Sequence, residues 1–381
     1  MAYFNNAATS YPKPEEMYSC MDAFYRNNGI SAGRNQNNSI GNVECLIKET
    51  RNLIKEVLSC PSKEVIFEPS ATIALNIIIQ GVIATGVKNV YISPFEHNSV
   101  TRVLHSFEKK GVINVHTLKV SAKMVYDLER IKYQFQSIKP DFVIMSHASN
   151  VFGLISPIEE IFLLAKRYNA ITLADMSQTA GLVKCYVDSE VFDFAVFAGH
   201  KTLYGPTGIS GFVMKPNLQF PPILFGGTGY DSANLDMPES LPERYEIGTT
   251  NVLGIIGLNA SLKWIKKITI DSIFEHEIDC RKKLIDLLNE FEFIKVIGDF
   301  SNCNYVGVVS CLLEGISSDS AGDIFERCGI VVRTGLHCSP LSHKFMNTFP
   351  AGTIRFSVSY FTTQSDLDEL RKALEYIEEN L

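Results

Sequence analysis

The chain of 381 residues lacks a long hydrophobic run, because lysines, glutamates or prolines interrupt every apolar stretch. A membrane-spanning helix needs about 20 consecutive apolar residues, so the sequence predicts no membrane segment. The N-terminus also lacks the basic-then-apolar pattern of a signal peptide. Basic residues are fewer than acidic ones, since 35 Lys and Arg stand against 42 Asp and Glu, which gives a net charge of -7. This balance argues against general binding to nucleic acid or to anionic membranes.

Closely spaced cysteines are absent as well. None of the nine cysteines forms a C-x-x-C pair, so the sequence predicts no structural zinc and no other metal site. Their odd number, without a signal peptide, favours reduced thiols and a cytoplasmic location. The hydrophobic content of 46% is ordinary for a globular protein, and the length predicts one large and one smaller domain.

Polar residues follow five short apolar segments of the first half of the chain. Strands and helices alternate over residues 60–215, which predicts a parallel sheet with helices on both faces. In such a sheet, ligands bind outside the carboxyl ends of the strands. The polar residues are therefore expected to meet at one edge. The five predicted strands are 65–67, 90–93, 142–146, 170–174 and 192–197.

Lys201 follows the last of these strands in a glycine-rich loop, where a ligand can reach its amine. Lysine forms Schiff bases when its surroundings lower its pKa. Asp175 follows the preceding strand, where it can pair with a protonated pyridine nitrogen or simply cap the next helix. Residues 68–72 place small and hydroxyl side chains at a helix N-terminus, which suits a phosphate. A lone lysine of this kind is usually a surface residue in a turn, so the hypothesis depends on these partners.

Four motifs, at residues 4–9, 199–208, 333–338 and 352–357, carry a resemblance that runs nearly end to end. The chain resembles the fold-type I pyridoxal-phosphate (PLP) enzymes of the class V aminotransferase branch, and most closely the cysteine desulfurase and selenocysteine lyase family. That resemblance implies an α/β PLP-dependent transferase fold with a mostly parallel seven-stranded sheet. It also implies a large domain over residues 15–251, a small α+β C-terminal domain over residues 252–381, and a joining segment at residues 1–14.

The same resemblance assigns roles to individual residues. Lys201 would carry the cofactor and move protons, Asp175 would pair with the ring nitrogen, and His97 would lie on the ring face. Arg355 would bind the substrate carboxylate, and Cys338 would attack the substrate sulfur. The other residues implied to bind PLP are Gln178 and Asn150 near the phenolic oxygen, with Asn150 also near the substrate, and Ala71, Thr72 and His200 at the phosphate.

The resemblance further implies a homodimer. Thr249 would reach the phosphate of the neighbouring subunit's cofactor, and the polar stretch at residues 29–38, by itself a surface loop, would border the active site. The segment between Cys338 and Arg355 is short, as in the group-II desulfurases, which commonly depend on a sulfur-acceptor protein.

The implied function is conversion of L-cysteine to L-alanine with transfer of the sulfur to Cys338 as a persulfide. Ala198 stands where many members have a serine, Ile73 where a glutamate is common, and Leu336 where some members have a second histidine. The last change weakens the expectation of efficient desulfuration. Alternatives are a selenocysteine lyase, a cystine or cysteine lyase, an amino-acid epimerase that would not need Cys338, and a non-catalytic scaffold protein.

Overall fold

The computed structural model describes residues 1–27, 38–229, 233–301 and 304–380. Residues 29–37 of the predicted active-site loop lie outside the described residues, as does Cys303. None of the described helices is both long and apolar enough to cross a membrane.

Strands and helices alternate from Glu64 to Asp175, as the sequence predicts for residues 60–215, but the three strands between Ile171 and Met214 follow one another without an α-helix between them. The strands are β1 (Ala2–Tyr3), β2 (Glu64–Glu68), β3 (Asn89–Ile92), β4 (Asn114–Thr117), β5 (Phe142–Ser146), β6 (Ile171–Asp175), β7 (Phe194–Ala198), β8 (Ser210–Met214), β9 (Ile294–Ile297), β10 (Val308–Leu313), β11 (Ile330–Val331), β12 (Arg333–Gly335) and β13 (Thr353–Ser357). The helices are α1 (Glu15–Asn27), α2 (Asn38–Val57), α3 (Ala71–Ala84), α4 (Asn98–Lys109), α5 (Leu128–Ser137), α6 (Ile158–Lys166), α7 (Val252–Ile268), α8 (Ile270–Leu288), α9 (Ser318–Arg327), α10 (Pro340–Phe345) and α11 (Gln364–Glu379).

The large sheet has seven strands in the order β2-β8-β7-β6-β5-β3-β4. β8 runs in the direction opposite to that of the other six strands. The predicted mostly parallel seven-stranded sheet is therefore confirmed. Both faces of the sheet are buried, as is usual for a mostly parallel sheet. Successive side chains of a strand point to opposite faces. In β5, Val143 and Met145 join the apolar cluster on one face, whereas Phe142 and Ile144 join the cluster on the other.

A second sheet, in the order β12-β13-β10-β9, lies in the C-terminal part of the chain and is antiparallel throughout. Its apolar residues pack with α8, α9 and α11 in a separate cluster that includes Leu284, Phe325 and Leu370. This arrangement of helices on an antiparallel sheet is of the α+β type. The division of the chain at residue 251 stays a prediction.

The sequence also predicts one helical stretch over residues 252–291 and one strand over residues 330–333, and the structure divides both of them. The predicted helical stretch over residues 252–291 is α7 followed by α8, with a break at Thr269, whose φ is 80°. The Thr269 side chain accepts a hydrogen bond from the Ser272 amide and so caps α8. The predicted strand at residues 330–333 is also two strands, because Ile330 and Val331 pair with β1 while Arg333 pairs with β13.

The N-terminal segment, residues 1–10, passes from the C-terminal part of the chain to the large sheet. It begins as β1, in parallel pairing with β11. The Ala7 amide then donates to Ser357 Oγ at 2.8 Å, and the Ser10 amide donates to the His200 carbonyl at 3.1 Å. The segment therefore contacts residues beside both Arg355 and Lys201.

Candidate active site

The carboxyl ends of β2, β3, β5, β6 and β7 lie at one edge of the large sheet and enclose a cavity. Every residue that the resemblance assigns to PLP lines this cavity except Thr249. The lining residues are Ser70, Ala71, Thr72, Leu75, His97, Ser99, Ser146, Ala148, Asn150, Asp175, Ser177, Gln178, Ala198, His200 and Lys201. Residues from five separated parts of the sequence thus meet because parallel strands end at the same edge.

Lys201 lies in the turn that follows β7. Burial, aided by the positive charges of Arg355 and Arg333, lowers the pKa of its amine to about 8, against the opposing effect of Asp175. Asp175 ends β6 and is buried, and one of its carboxylate oxygens accepts a hydrogen bond from the Ser177 amide at 2.9 Å. A lysine with such a pKa has an appreciable neutral fraction near pH 7, which a Schiff base or a proton transfer requires.

One end of the cavity is built to receive an anion. Ser70 caps α3 and accepts a hydrogen bond from the Ile73 amide, so the first amides of α3 point toward the cavity. Thr72 Oγ1 and Ser99 Oγ share a hydrogen bond of 2.9 Å beside this helix end. His200 Nδ1 is buried without a hydrogen-bond partner among the described residues. Burial lowers the pKa of His200 to about 4, so the ring is neutral and can donate to a bound anion.

His97 both caps a helix and lines the cavity. Its Nδ1 accepts a hydrogen bond from the Ser99 amide at 3.0 Å at the start of α4. Burial and the nearby Lys201 lower the pKa of the imidazole to about 4. The ring is therefore neutral and held by its own helix cap, which suits a flat contact with an aromatic ligand.

Arg355 is 1% exposed, and no carboxylate pairs with it among the described residues. Its Nη1 donates to the Asn150 carbonyl at 2.9 Å and its Nη2 donates to Asn5 Oδ1 at 3.0 Å, while Nε has no partner within the described chain. Burial, with the charge of Arg333, lowers the pKa of the guanidinium to about 9. Because a buried charge without a counter-ion is costly, this arrangement favours binding of an anion.

Cys338 lies in a short loop between β12 and α10. Arg333 Nη2 donates to its sulfur at 3.2 Å, which places a positive charge beside the thiol. The loop is held in a strained shape, with φ values of 48° at His337 and 59° at Cys338. The Cys338 carbonyl accepts from the Asn98 amide at 2.7 Å.

Asn150 and Gln178 line the cavity, but their side-chain amides are engaged with other parts of the chain. Asn150 Nδ2 donates to the His337 carbonyl at 2.7 Å, and its Oδ1 accepts from Ser339 Oγ at 2.7 Å. These two bonds hold the Cys338 loop on both sides of the thiol. Gln178 Nε2 donates to the Ala7 carbonyl at 2.9 Å, which fixes the N-terminal segment.

Sequence reasoning missed Glu96, which is 0% exposed and lies below the cavity. Its oxygens accept hydrogen bonds from Ser93 Oγ at 2.5 Å, from the Ser146 amide at 2.8 Å and from Ser146 Oγ at 2.8 Å. Burial raises the pKa of Glu96 to about 7. The residue joins the ends of β3 and β5, and the only available signal was an acidic residue directly before His97.

Thr249 lies outside this cavity. It lines a separate cleft with Gly248, Asn251, Glu68 and Gly208, and it is exposed. The structure therefore gives Thr249 no contact with the cavity of its own chain.

Comparison with known proteins identifies close likenesses over the whole chain. A protein named "Probable cysteine desulfurase" from Halalkalibacterium halodurans is 29% identical over 388 residues, which cover 100% of this chain and 93% of that protein. One of the same name from Methanothermobacter thermautotrophicus is 27% identical over 378 residues, covering 98% of this chain and 94% of the relative.

Solved structures agree with these sequence matches. The apo structure of a cysteine desulfurase from Thermococcus onnurineus superposes with a TM-score of 0.90 at 26% identity, covering 100% of this chain and 95% of that chain. The cysteine desulfurase CsdA from Escherichia coli shares the fold, with a TM-score of 0.87 at 23% identity and the same coverage. The family model described as aminotransferase class-V matches residues 2–370. The chain therefore belongs to the aminotransferase class-V family, a family of PLP-dependent enzymes.

Proposed function

We propose that the protein is a cysteine desulfurase, which converts L-cysteine to L-alanine and takes the sulfur onto Cys338 as a persulfide. The observation that carries this proposal is a thiol held beside Arg333, next to a buried guanidinium, Arg355, that has no counter-ion among the described residues. The relatives named above support the same activity.

The residues of the cavity fit PLP. The unpartnered His200 Nδ1 and the N-terminus of α3 suit its phosphate, Asp175 suits its ring nitrogen, and Lys201 suits its aldehyde carbon. The neutral His97 suits its ring face. Ala198 contributes a methyl group where a serine would offer a further hydroxyl. When bound, PLP supplies an electron sink that no side chain offers.

Arg355 would bind the substrate carboxylate. Its guanidinium is already oriented by Asn5 and by the Asn150 carbonyl, so little side-chain entropy is lost when the anion arrives. Arginine forms two parallel hydrogen bonds with a carboxylate, which fixes the orientation of an amino acid as well as its position. Its fixed position would direct the substrate side chain toward Cys338.

Lys201 would accept and donate protons during the reaction. Its pKa of about 8 lets the amine occur in both the neutral and the charged form near pH 7. The Cys338 thiolate would attack the substrate sulfur. A sulfur–sulfur bond forms while the substrate carbon–sulfur bond breaks, and the carbon receives a proton to give alanine. Arg333 Nη2 donates to the sulfur and so holds it in place for the attack. An epimerase would need no such thiol, so the arrangement around Cys338 favours desulfuration over that alternative.

The proposed enzyme is a homodimer that passes its sulfur to an acceptor protein. Thr249 is exposed and does not line the cavity of its own chain, which suits a contact with the cofactor phosphate of a partner subunit. A heterodimer of one Lys201→Ala subunit and one Thr249→Ala subunit tests this. Its single working lysine lies in the subunit that faces an intact Thr249, so it should keep about half the wild-type activity per dimer, whereas a Thr249→Ala homodimer should lose most of its activity.

The direct test of the function incubates purified protein, reconstituted with PLP, with L-cysteine and measures alanine and sulfide. Wild type should form both in the presence of a reductant, whereas Cys338→Ser should bind PLP and cysteine but form no alanine. Cys328→Ser is the matched control, because Cys328 lies at the end of α9, outside the cavity lining, and should keep full activity. Alanine formation by Cys338→Ser at the wild-type rate would reject the persulfide route. Alanine from selenocysteine but not from cysteine would instead indicate a selenocysteine lyase.

A further inference from the structure

We propose that the cleft between α3 and α4, which opens at Cys338, binds a small thiol that carries a carboxylate, and that this thiol collects the sulfur from Cys338. The inference rests on the proposed function, because it concerns the fate of the persulfide. It adds a small-molecule acceptor, with a stated chemistry, to the acceptor protein that the family resemblance implies.

The cleft adjoins the PLP cavity, with which it shares Thr72, His97 and Ser99. It has a volume of about 460 Å³, and Cys338 lines the cleft but not the cavity. The Cys338 carbonyl is bonded to the Asn98 amide at 2.7 Å, so the thiol loop and the start of α4 form one continuous wall. A molecule in this cleft would lie against Cys338 at the side of the PLP cavity.

The opposite walls carry a row of polar side chains. On α3, Gln80 Nε2 donates to Asn76 Oδ1 at 3.0 Å, and Asn76 Nδ2 donates to the Thr72 carbonyl at 2.9 Å. On α4, Ser106 and Phe107 lie one turn beyond Arg102. A ligand would therefore meet hydrogen-bonding groups on one side and a mixed polar and apolar surface on the other.

The charge of the cleft selects an anion. Arg102 is its one charged lining residue, and no aspartate or glutamate lines it. Arg102 makes no ion pair with any carboxylate in the described ranges. The cleft therefore carries a positive charge although the chain has a net charge of -7. A guanidinium binds carboxylates in a two-pronged geometry.

The transfer is balanced without a further reactant. The acceptor thiolate attacks the outer sulfur of the Cys338 persulfide and forms a new sulfur–sulfur bond. The bond between that sulfur and Cys338 Sγ breaks, and its electron pair returns to Cys338 as a thiolate. The acceptor leaves as a persulfide, and Cys338 is ready for the next substrate molecule.

The experiment uses the PLP-loaded enzyme in two stages. About one equivalent of cysteine per subunit, without another thiol, should first give a burst of alanine as Cys338 is charged, and unreacted cysteine is then removed because it is itself a thiol with a carboxylate. 3-Mercaptopropionate, 2-mercaptoethanol or cysteamine is then added, and the rate of discharge of the persulfide is measured for each thiol. Each rate is normalised to the rate of the same thiol with a free disulfide, which removes differences in intrinsic nucleophilicity. The wild type should prefer the anionic thiol, and added salt should weaken the preference.

Arg102→Gln should lower the normalised rate with 3-mercaptopropionate by about fivefold and change that with 2-mercaptoethanol by less than about twofold. Arg102→Lys should recover part of the loss. Arg167→Gln is the matched control, because it removes one charge from an exposed arginine at the end of α6, outside the cleft, and should leave both rates unchanged.

Equal normalised rates for the three thiols, or an unchanged anionic preference in Arg102→Gln, would overturn the inference while leaving the alanine burst intact. A higher KM for cysteine in Arg102→Gln, with unchanged discharge rates, would also overturn it and assign the cleft to the substrate. Absence of the alanine burst in the wild type would reject the proposed function itself, and the inference with it.

Discussion

Lys201 should destabilise the protein when no cofactor is bound. Burial lowers the pKa of its amine from 10.5 to about 8, so the folded apoprotein binds a proton at this site less tightly than the unfolded chain does. One pKa unit corresponds to about 1.36 kcal/mol, so the linkage relation gives a cost of about 3 kcal/mol at pH 7. The cost is fully present below pH 8 and disappears as the pH rises from 8 to 10.5.

The perturbation is Lys201→Met, which keeps the length of the side chain and removes its charge. We expect the apoprotein of this variant to be more stable than the wild type at pH 7. The advantage should shrink by about 2 kcal/mol at pH 9.5, because the wild-type lysine is by then mostly neutral when folded. The added apolar burial of methionine does not depend on pH, so this change with pH isolates the electrostatic part.

The assay is urea unfolding of the two apoproteins at pH 7.0 and pH 9.5, after removal of PLP with hydroxylamine. Lys119→Met is the control, because Lys119 is exposed and its replacement should change the free energy of unfolding by less than about 0.5 kcal/mol at both pH values. A difference between wild type and Lys201→Met that stays constant or grows with pH would refute the reasoning.

Three further predictions concern the neighbouring residues. Arg355→Gln should raise the KM for cysteine roughly tenfold or more and leave the visible absorption of bound PLP unchanged, because a charge-assisted carboxylate contact is lost; an unchanged KM would remove Arg355 from the substrate site. Gly352→Ala should cost more in thermal stability than Gly315→Ala, although both glycines have a φ of 77°, because a Cβ at residue 352 would lie 2.2 Å from the Gly335 backbone while nothing lies within 4 Å at residue 315; equal losses would contradict this. Between pH 4.5 and about 7 the wild type should lose stability, because Glu96 ionises in the unfolded chain while the buried Glu96 of the folded protein stays protonated. Glu96→Gln should lack that part of the pH dependence in urea titrations, and identical pH profiles would argue against the raised pKa.

The sheet could be predicted from sequence because its strands are short, apolar and followed abruptly by polar residues. The bounds predicted for β5 agree with the structure, since Asp141 and His147 mark both of its ends. The break between α7 and α8 could not be predicted, because Thr269 stands between isoleucines in a sequence that continues the apolar pattern. Only the left-handed backbone at Thr269 reveals it.

The residues expected at the candidate site could be named from strand ends and motifs. The hydrogen bonds that orient these residues could not be predicted. Arg355 is oriented by Asn5, which lies 350 positions away in the chain. Asn150 holds the loop of Cys338 from a distance of 187 residues. Such hydrogen bonds join residues that are far apart in the sequence and depend on the tertiary packing. No local sequence pattern predicts that packing.

The contacts of the N-terminal segment predict the result of a truncation experiment. Ala7 is hydrogen-bonded to Gln178, Ser10 to His200 and Asn5 to Arg355. A deletion of residues 1–10 would therefore remove hydrogen bonds that hold residues of both the proposed cofactor site and the proposed substrate site. Such a truncated protein would be read as a catalytic mutant although every catalytic side chain was intact.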